Sequence, residues 1–232
     1  MEKYIQIIFG LIILLASCSD EKNNLKPINQ NICIDKDGKT YKSIIIGKQI
    51  WMSENLAYLP EINKKHQSSI SEARYYVYMY NGVNIKEAQN SDNYKNYGVL
   101  YNYKAAIQSV PKGWHIPSDE EWKELEIYIG ILKEQTNNIN FRGSENISIK
   151  SRSINMWTNN NGTNYYGLNI FPAGIINDSF FKKAGNSSFL WTSSESSSTN
   201  VWSREFSHIH PGISRTRQNK RYGLSIRCIK DK

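Results

Sequence analysis

The chain divides by its pattern of apolar and polar positions. Residues 4–16 are almost wholly apolar, broken only by Gln6, and follow a short polar start. Residues 19–31 are polar and contain Pro27, which reads as a flexible tether. Asp37-Gly38 signals a turn, residues 40–46 a strand, Gly47-Lys48 a tight turn and residues 49–52 its return. Residues 59–97 suggest long loops around Tyr75-Tyr76-Val77-Tyr78-Met79-Tyr80, which has strand propensity. Leu100, Tyr103 and Ile107 recur at helical spacing within 98–109. A second helix is better signalled. Ser118 and Glu121 form a capping-box pair, Asp119 and Glu120 suit the positive end of the helix dipole, and Trp122, Leu125 and Ile129 lie on one stripe that stops at Gly130. Beyond 135, Asn, Ser, Gly and aromatics dominate. Residues 200–209 alternate as a strand, and 222–229 form a last strand with Leu224, Ile226 and Cys228 on one face. Two short helices packed on a mixed, mainly antiparallel, loop-rich sheet make an α+β domain.

The front end changes the picture of where this chain works. A run of 13 residues is too short for a membrane span, which needs about 20. After a start charged by Lys3 and the α-amine, they read as a secretory signal. Leu15-Ala16-Ser17-Cys18 looks like a bacterial lipoprotein processing site, with small residues before a nucleophilic thiol. The expected organisation is a signal peptide over 1–17, a lipidated Cys18 and tether over 18–34, and a folded domain over 35–232. Two or three acyl chains on Cys18 make a durable bilayer anchor. Ser19-Asp20-Glu21 resembles the surface-export signal of Bacteroidetes-like lipoproteins, so the expected location is the bacterial outer membrane, facing the exterior. Lys and Arg outnumber Asp and Glu by 29 to 21, a balance that attracts polyanions. The basic residues are dispersed and no nucleic-acid reader motif is present, which points to anionic glycans or headgroups over nucleic acid. An exported compartment permits disulfides. Cys33 and Cys228 could pair, or remain two free thiols with Cys228 buried as a small hydrophobe.

Six ordered blocks resemble the Fibrobacter succinogenes major paralogous domain, found in exported bacterial proteins. They are Asp37-Gly38 through Asn55-Leu56, including Trp51 and Glu54; Tyr97 to Asn102; Pro111-Lys112-Gly113-Trp114-His115-Ile116-Pro117-Ser118 through Glu121-Trp122; Gly167-Leu168 with Pro172-Ala173-Gly174; Leu190 to Glu195; and Gly223 to Cys228, including Arg227. The resemblance covers about 35–231 and implies a C-type-lectin-like fold. It implies no assigned chemistry, because fold does not dictate function. Family members often carry a cysteine where this chain has Val110, and its usual partner matches Cys228. Either that crosslink is lost or Cys33 substitutes for it.

Candidate chemistry is sparse. Ser193 and Ser194 lie beside Glu195, but adjacency does not make a triad. His115 is expected to cap or bridge backbone near the helix start, with a general base as the alternative. His208 and His210 share a strand face and could touch a metal, but two ligands make an incomplete site. Asp178 and the asparagines of 159–164 could offer oxygen to calcium only in principle, without a recognised motif. Glu54 is expected to accept backbone or arginine bonds, with Arg227 a candidate partner. Binding fits better. Trp157, Tyr165, Tyr166 and Trp191, with Arg215 and Arg217, are the candidate ligand-binding residues, since aromatics give contact area and arginines attract acidic groups. The expectation is a non-catalytic recognition or adhesion lipoprotein binding glycan or protein. The alternatives are an exported enzyme acting on cell-wall or host polymer, and a structural envelope subunit.

Overall fold

The computed structural model describes residues 33–144 and 146–232. The expected signal peptide, Cys18 and most of the expected tether lie outside the described residues. Cys33 and Ile34, expected in the tether, already pair with Thr40–Tyr41, so the fold takes them in. No helix among the described residues is long and apolar enough to cross a membrane.

Two four-stranded antiparallel sheets organise the domain. The first runs Ser43–Ile46, Gln49–Met52, Ile229–Lys230, Trp114–His115 in spatial order. The second runs Ser187–Glu195, Asn200–Ser207, Ile213–Asn219, Asn140–Arg142. The helix Asp119–Tyr128 lies between them. Trp122, on that helix, packs its ring centroid 4.7 Å from Trp51 of the first sheet and 6.3 Å from Phe206 of the second. All three side chains are fully buried. Leu125, Ile129, Ile44, Ile46, Leu190 and Ile213 complete this core. A separate core gathers Tyr41, Tyr101, Trp191, Leu224 and both cysteines around the helix Tyr103–Ser109.

The helix is also held by charge. Positions 119, 122 and 126 fall on one helical face at three- and four-residue spacing. Asp119 and Glu126 therefore enter the interface beside Trp122, and both are buried. Three strands of the second sheet answer them with one arginine each. Arg204 places Nε 2.5 Å from Glu126 Oε1 and a terminal nitrogen 2.8 Å from Asp119 Oδ1. Arg142 reaches the same Glu126 oxygen at 2.8 Å, and Arg215 reaches Asp119 Oδ2 at 2.8 Å. Burial opposes ionisation of Asp119, but hydrogen bonds from Arg215 and the charge of Arg204 outweigh it and hold the carboxyl well below the usual range.

Arg227 is a second buried cation. It donates to Asn55 Oδ1 and to the carbonyls of Met52, Leu168 and Asn169, pinning two segments to the C-terminal strand region. Burial lowers its pKa to about 9, and the nearby charge of Glu54 works the other way. Glu54 itself accepts from the Lys42 amide, so the expected Glu54–Arg227 hydrogen bond is replaced by Asn55. Gly98, at φ +74, closes this region, because a Cβ there would sit 2.8 Å from the Leu56 carbonyl oxygen.

The expected fold class needs correction. Five α-helices stand among the described residues, not two, and the strands form five small sheets. Ile85–Asn90, Asp92–Tyr97 and Ile147–Ser151 are the added helices. The C-type-lectin-like expectation is overturned on helix number and on the missing crosslink: Cys33 and Cys228 are both free and buried. Val110 packs against the same core as both thiols, so apolar contact occupies this region without a bond. The region around Tyr75 also differs. Only Tyr75–Tyr76 forms a strand, and Tyr76 and Tyr94 donate their hydroxyls to the Gln67 and Ala57 carbonyls.

Asp119→Asn should destabilise the domain by about 3–5 kcal/mol, because it leaves Arg215 buried without its counter-charge and Arg204 with Glu126 alone. A depressed carboxyl contributes stability that is present above its ordinary pKa near 4 and lost as pH falls below it. Urea midpoints should therefore fall steeply below about pH 4 in the wild type and less steeply in the variant. Equal midpoints for the two proteins would contradict this. Burial pushes the Cys33 thiol up to about 12 and the Cys228 thiol well above its ordinary value. Both should react with a maleimide only after unfolding, and rapid labelling of native protein would show that one is accessible.

Candidate functional site

The sequence blocks converge on the helix and its neighbours. Ser118 accepts from the Glu121 amide, and Glu121 returns the bond to the Ser118 amide at 2.8 Å. The same Glu121 carboxylate meets His115 Nε2 at 3.0 Å through its other oxygen. Asp231, just past the last strand, meets His115 Nδ1 at 2.7 Å. His115 thus bridges two carboxylates and not backbone groups as expected. Burial of the ring works against its charge, but the bonds to Glu121 and Asp231 outweigh this and raise its pKa. Burial likewise opposes ionisation of Glu121, but bonds from Ser118 and His115 outweigh it and lower its pKa. Both ring nitrogens are engaged by carboxylates in this arrangement. Glu121 and Asp231 also border a small cleft of about 150 Å³ with Lys48 and Lys230. A shallower groove of about 470 Å³ lies alongside, lined by Ile46, Gly47, Ile127 and Tyr128.

The remaining blocks are equally structural. Gln49 donates to the Glu121 carbonyl and accepts from the Trp51 indole. Pro117 accepts from the Ser193 amide, and Ser194 Oγ accepts from the Asp119 amide, so these serines hold the helix start. Gly113 turns the chain at φ +78 before Trp114, which pairs with Lys230. The family model described as the Fibrobacter succinogenes major domain matches residues 44–230, a span that takes in both four-stranded sheets and the helix between them. The chain belongs to that family. No curated protein and no solved structure matches it.

The candidate binding residues separate. Trp191 is fully buried, donates its indole N–H to the Tyr101 carbonyl and packs against Tyr103. Trp157 is buried too, with its N–H on the Ile170 carbonyl and Arg152 over its ring. Neither presents a surface, because each indole fills core volume and needs a buried acceptor. Tyr166 donates to the Ile129 carbonyl, while Tyr165 is 61% exposed beside Lys150. Arg215 is buried and occupied by Asp119, which removes it from the ligand-binding set. Arg217 is exposed. His208 bonds the Asn186 carbonyl and His210 stacks on Phe141. No group of three metal-binding side chains lies together among the described residues. Asp178 pairs with Arg221.

Trp202 was not among the candidates, yet it is the residue that organises Arg217. It sits directly across the ladder from Arg217, and Arg204 sits across from Arg215. All four share the helix-facing side of the second sheet. The helix covers the Arg204 end, and the Trp202 end emerges beyond it, half-buried. The guanidinium carbons of Arg215 and Arg217 lie 3.4 and 4.7 Å from the centre of the indole. The alternation of residues 200–209 placed Trp202 and Arg204 on one face; the burial of Asp119 that orients Arg215 was the missing signal.

The His115 bridge generates a pH signature. A raised histidine pKa adds stability that is complete below its ordinary value near 6.5 and is lost as pH rises through the folded value. The lowered Glu121 pKa adds stability above its ordinary value near 4.3 that is lost in acid. Their joint contribution is therefore greatest between about pH 4.5 and 6.5. His115→Gln should flatten the alkaline side of the stability profile by less than about 1 kcal/mol, because the ring is partly solvated. Thermal unfolding across pH 5–9 reads this; superimposable profiles would refute the bridge.

Proposed function

We propose that this chain is a lipid-anchored recognition protein of the bacterial outer membrane, with acyl chains on Cys18 and the folded domain facing outward to bind a surface polymer. The carrying observation is an unspent cation on an aromatic support. Arg217 is exposed against Trp202 and makes no ion pair with another described residue. The groups that hydrolytic chemistry would draw on are occupied elsewhere: His115 by two carboxylates, Ser194 by the Asp119 amide, Glu195 by Lys220. A rigid two-sheet base with a polar, aromatic rim suits binding, where preorganised groups lose little freedom on contact.

Family membership supports a shared scaffold, since the sequence blocks lie in helix caps, sheet contacts and the Arg227 node. That leaves ligand choice to residues outside the blocks, such as Trp202 and Arg217. The signal pattern at 1–17 and the acidic residues after Cys18 support export and surface display.

Two measurements test the reading. Metabolic labelling with a palmitate analogue should mark the wild type, and Cys18→Ser should abolish the label and release the protein without detergent. An unlabelled wild-type protein would remove the anchor. Wild-type protein should also be retained on immobilised envelope or host-surface polymers in a pull-down. Failure to retain on any glycan or protein surface would remove recognition.

A further inference from the structure

The net charge of +8 is spread over the chain, yet most cations around the second sheet are already neutralised. Lys220 lies 2.8 Å from Glu195, Arg221 2.8 Å from Asp178 and Lys183 3.1 Å from Glu205. Arg215 is committed to Asp119. Arg217 differs from all of these: it is exposed and its one described side-chain contact is with the Trp202 ring.

That contact has directional consequences. Stacking engages the flat face of a guanidinium and leaves its in-plane N–H groups free to donate. Two parallel N–H bonds from that edge match the two oxygens of a carboxylate. The support under it is itself fixed, because Asp119 holds Arg215 by three hydrogen bonds and Arg215 lies against the same indole. Around the fork the sheet presents amides and not further charge. Asn219 and Asn200 face each other two residues along the ladder on the same face, and Asn140 lies across from Arg215. All three are at least partly exposed; Asn200 Nδ2 donates to Ser197 and Thr199 and Asn219 Oδ1 accepts from the Arg221 amide, so the Asn200 oxygen, the Asn219 N–H groups and both sides of Asn140 are the groups to meet sugar hydroxyls. A lone free cation among amides is a poor match for a polyphosphate, which needs a run of phosphate contacts.

We propose that Arg217, held on Trp202, anchors the carboxylate of an acidic glycan, a polysaccharide containing uronic-acid sugars, while Asn140, Asn200 and Asn219 contact its hydroxyls. The inference rests on the recognition reading and names its ligand class. Binding is reversible and forms no covalent bond.

The test uses the full lipoprotein in detergent micelles. It is titrated by calorimetry with a polyuronate oligosaccharide, a neutral oligosaccharide of equal length and inorganic phosphate. Wild type should bind the polyuronate, and bind the other two at least about tenfold more weakly. Arg217→Ala should weaken polyuronate binding about tenfold or more, with circular dichroism and the urea midpoint unchanged. Arg217→Lys should recover only part of the affinity, because an ammonium cannot form the fork. Wild-type affinity in a folded Arg217→Ala protein, or equal binding of the neutral sugar, would overturn the proposal. Tighter binding of phosphate would overturn it in favour of a phosphorylated ligand. Retention on other polymers with no polyuronate binding would sink this ligand class alone, whereas no retention on any polymer would sink the recognition reading beneath it.

Discussion

Two carboxylates on one stripe of a ten-residue helix face three arginines from three neighbouring strands, and the arrangement of the domain depends on that meeting. Neither Asp119 nor Glu126 can be buried alone, since an uncompensated charge in a protein interior is too unfavourable to persist. Once both enter beside Trp122, the second sheet must present Arg142, Arg204 and Arg215 on its helix-facing side, which fixes strand register as well as helix position. A well-packed apolar replacement of the whole set could be equally stable, so the ions specify the arrangement more than they add net stability. Trp122 links the same helix to Trp51, so the first sheet is positioned by the element that charge holds to the second.

The two chemical features of the surface grow from opposite sides of this helix start. On one side, the capping glutamate extends its hydrogen bonds to His115 and through it to Asp231, which ties the C-terminal strand to the cap. On the other, Asp119 locks Arg215, Arg215 packs against Trp202, and Trp202 carries Arg217. The first chain of contacts ends in a closed set with no free donor or acceptor on the ring. The second ends in solvent with a free cation. That difference is the reason the proposed function is recognition and not proton transfer.

Local signals were legible where the chemistry is local. The capping box at Ser118, the Gly47-Lys48 turn and the alternation around Trp202 can all be read from adjacent residues, and each stands in the structure. The helices Ile85–Asn90, Asp92–Tyr97 and Ile147–Ser151 span five to six residues, too short to display a stripe, and were expected as loops. The caps Asn84 and Ser91 were the available signals for the first two. Trp157, Trp191 and Arg215 were expected at a binding surface because composition does not reveal which side of a strand or loop meets the core. For Arg215 a clue did exist: Asp119 and Glu126 share the stripe of Trp122, and buried carboxylates require buried cations. The pairing of Trp202 with Arg217 needs the register between two strands, which depends on distant contacts and is invisible to neighbour-by-neighbour reading.

The central claim is that the open end of the second sheet, and not the groove beside Gly47, is the face that meets ligand. Nuclear magnetic resonance of the folded domain during titration with an acidic oligosaccharide tests it most directly. The account predicts that the Trp202 indole and Arg217 side-chain signals shift first and together, with Asn219 following. Shifts confined to Gly47, Ile127 and Tyr128, with Trp202 unmoved, would contradict it.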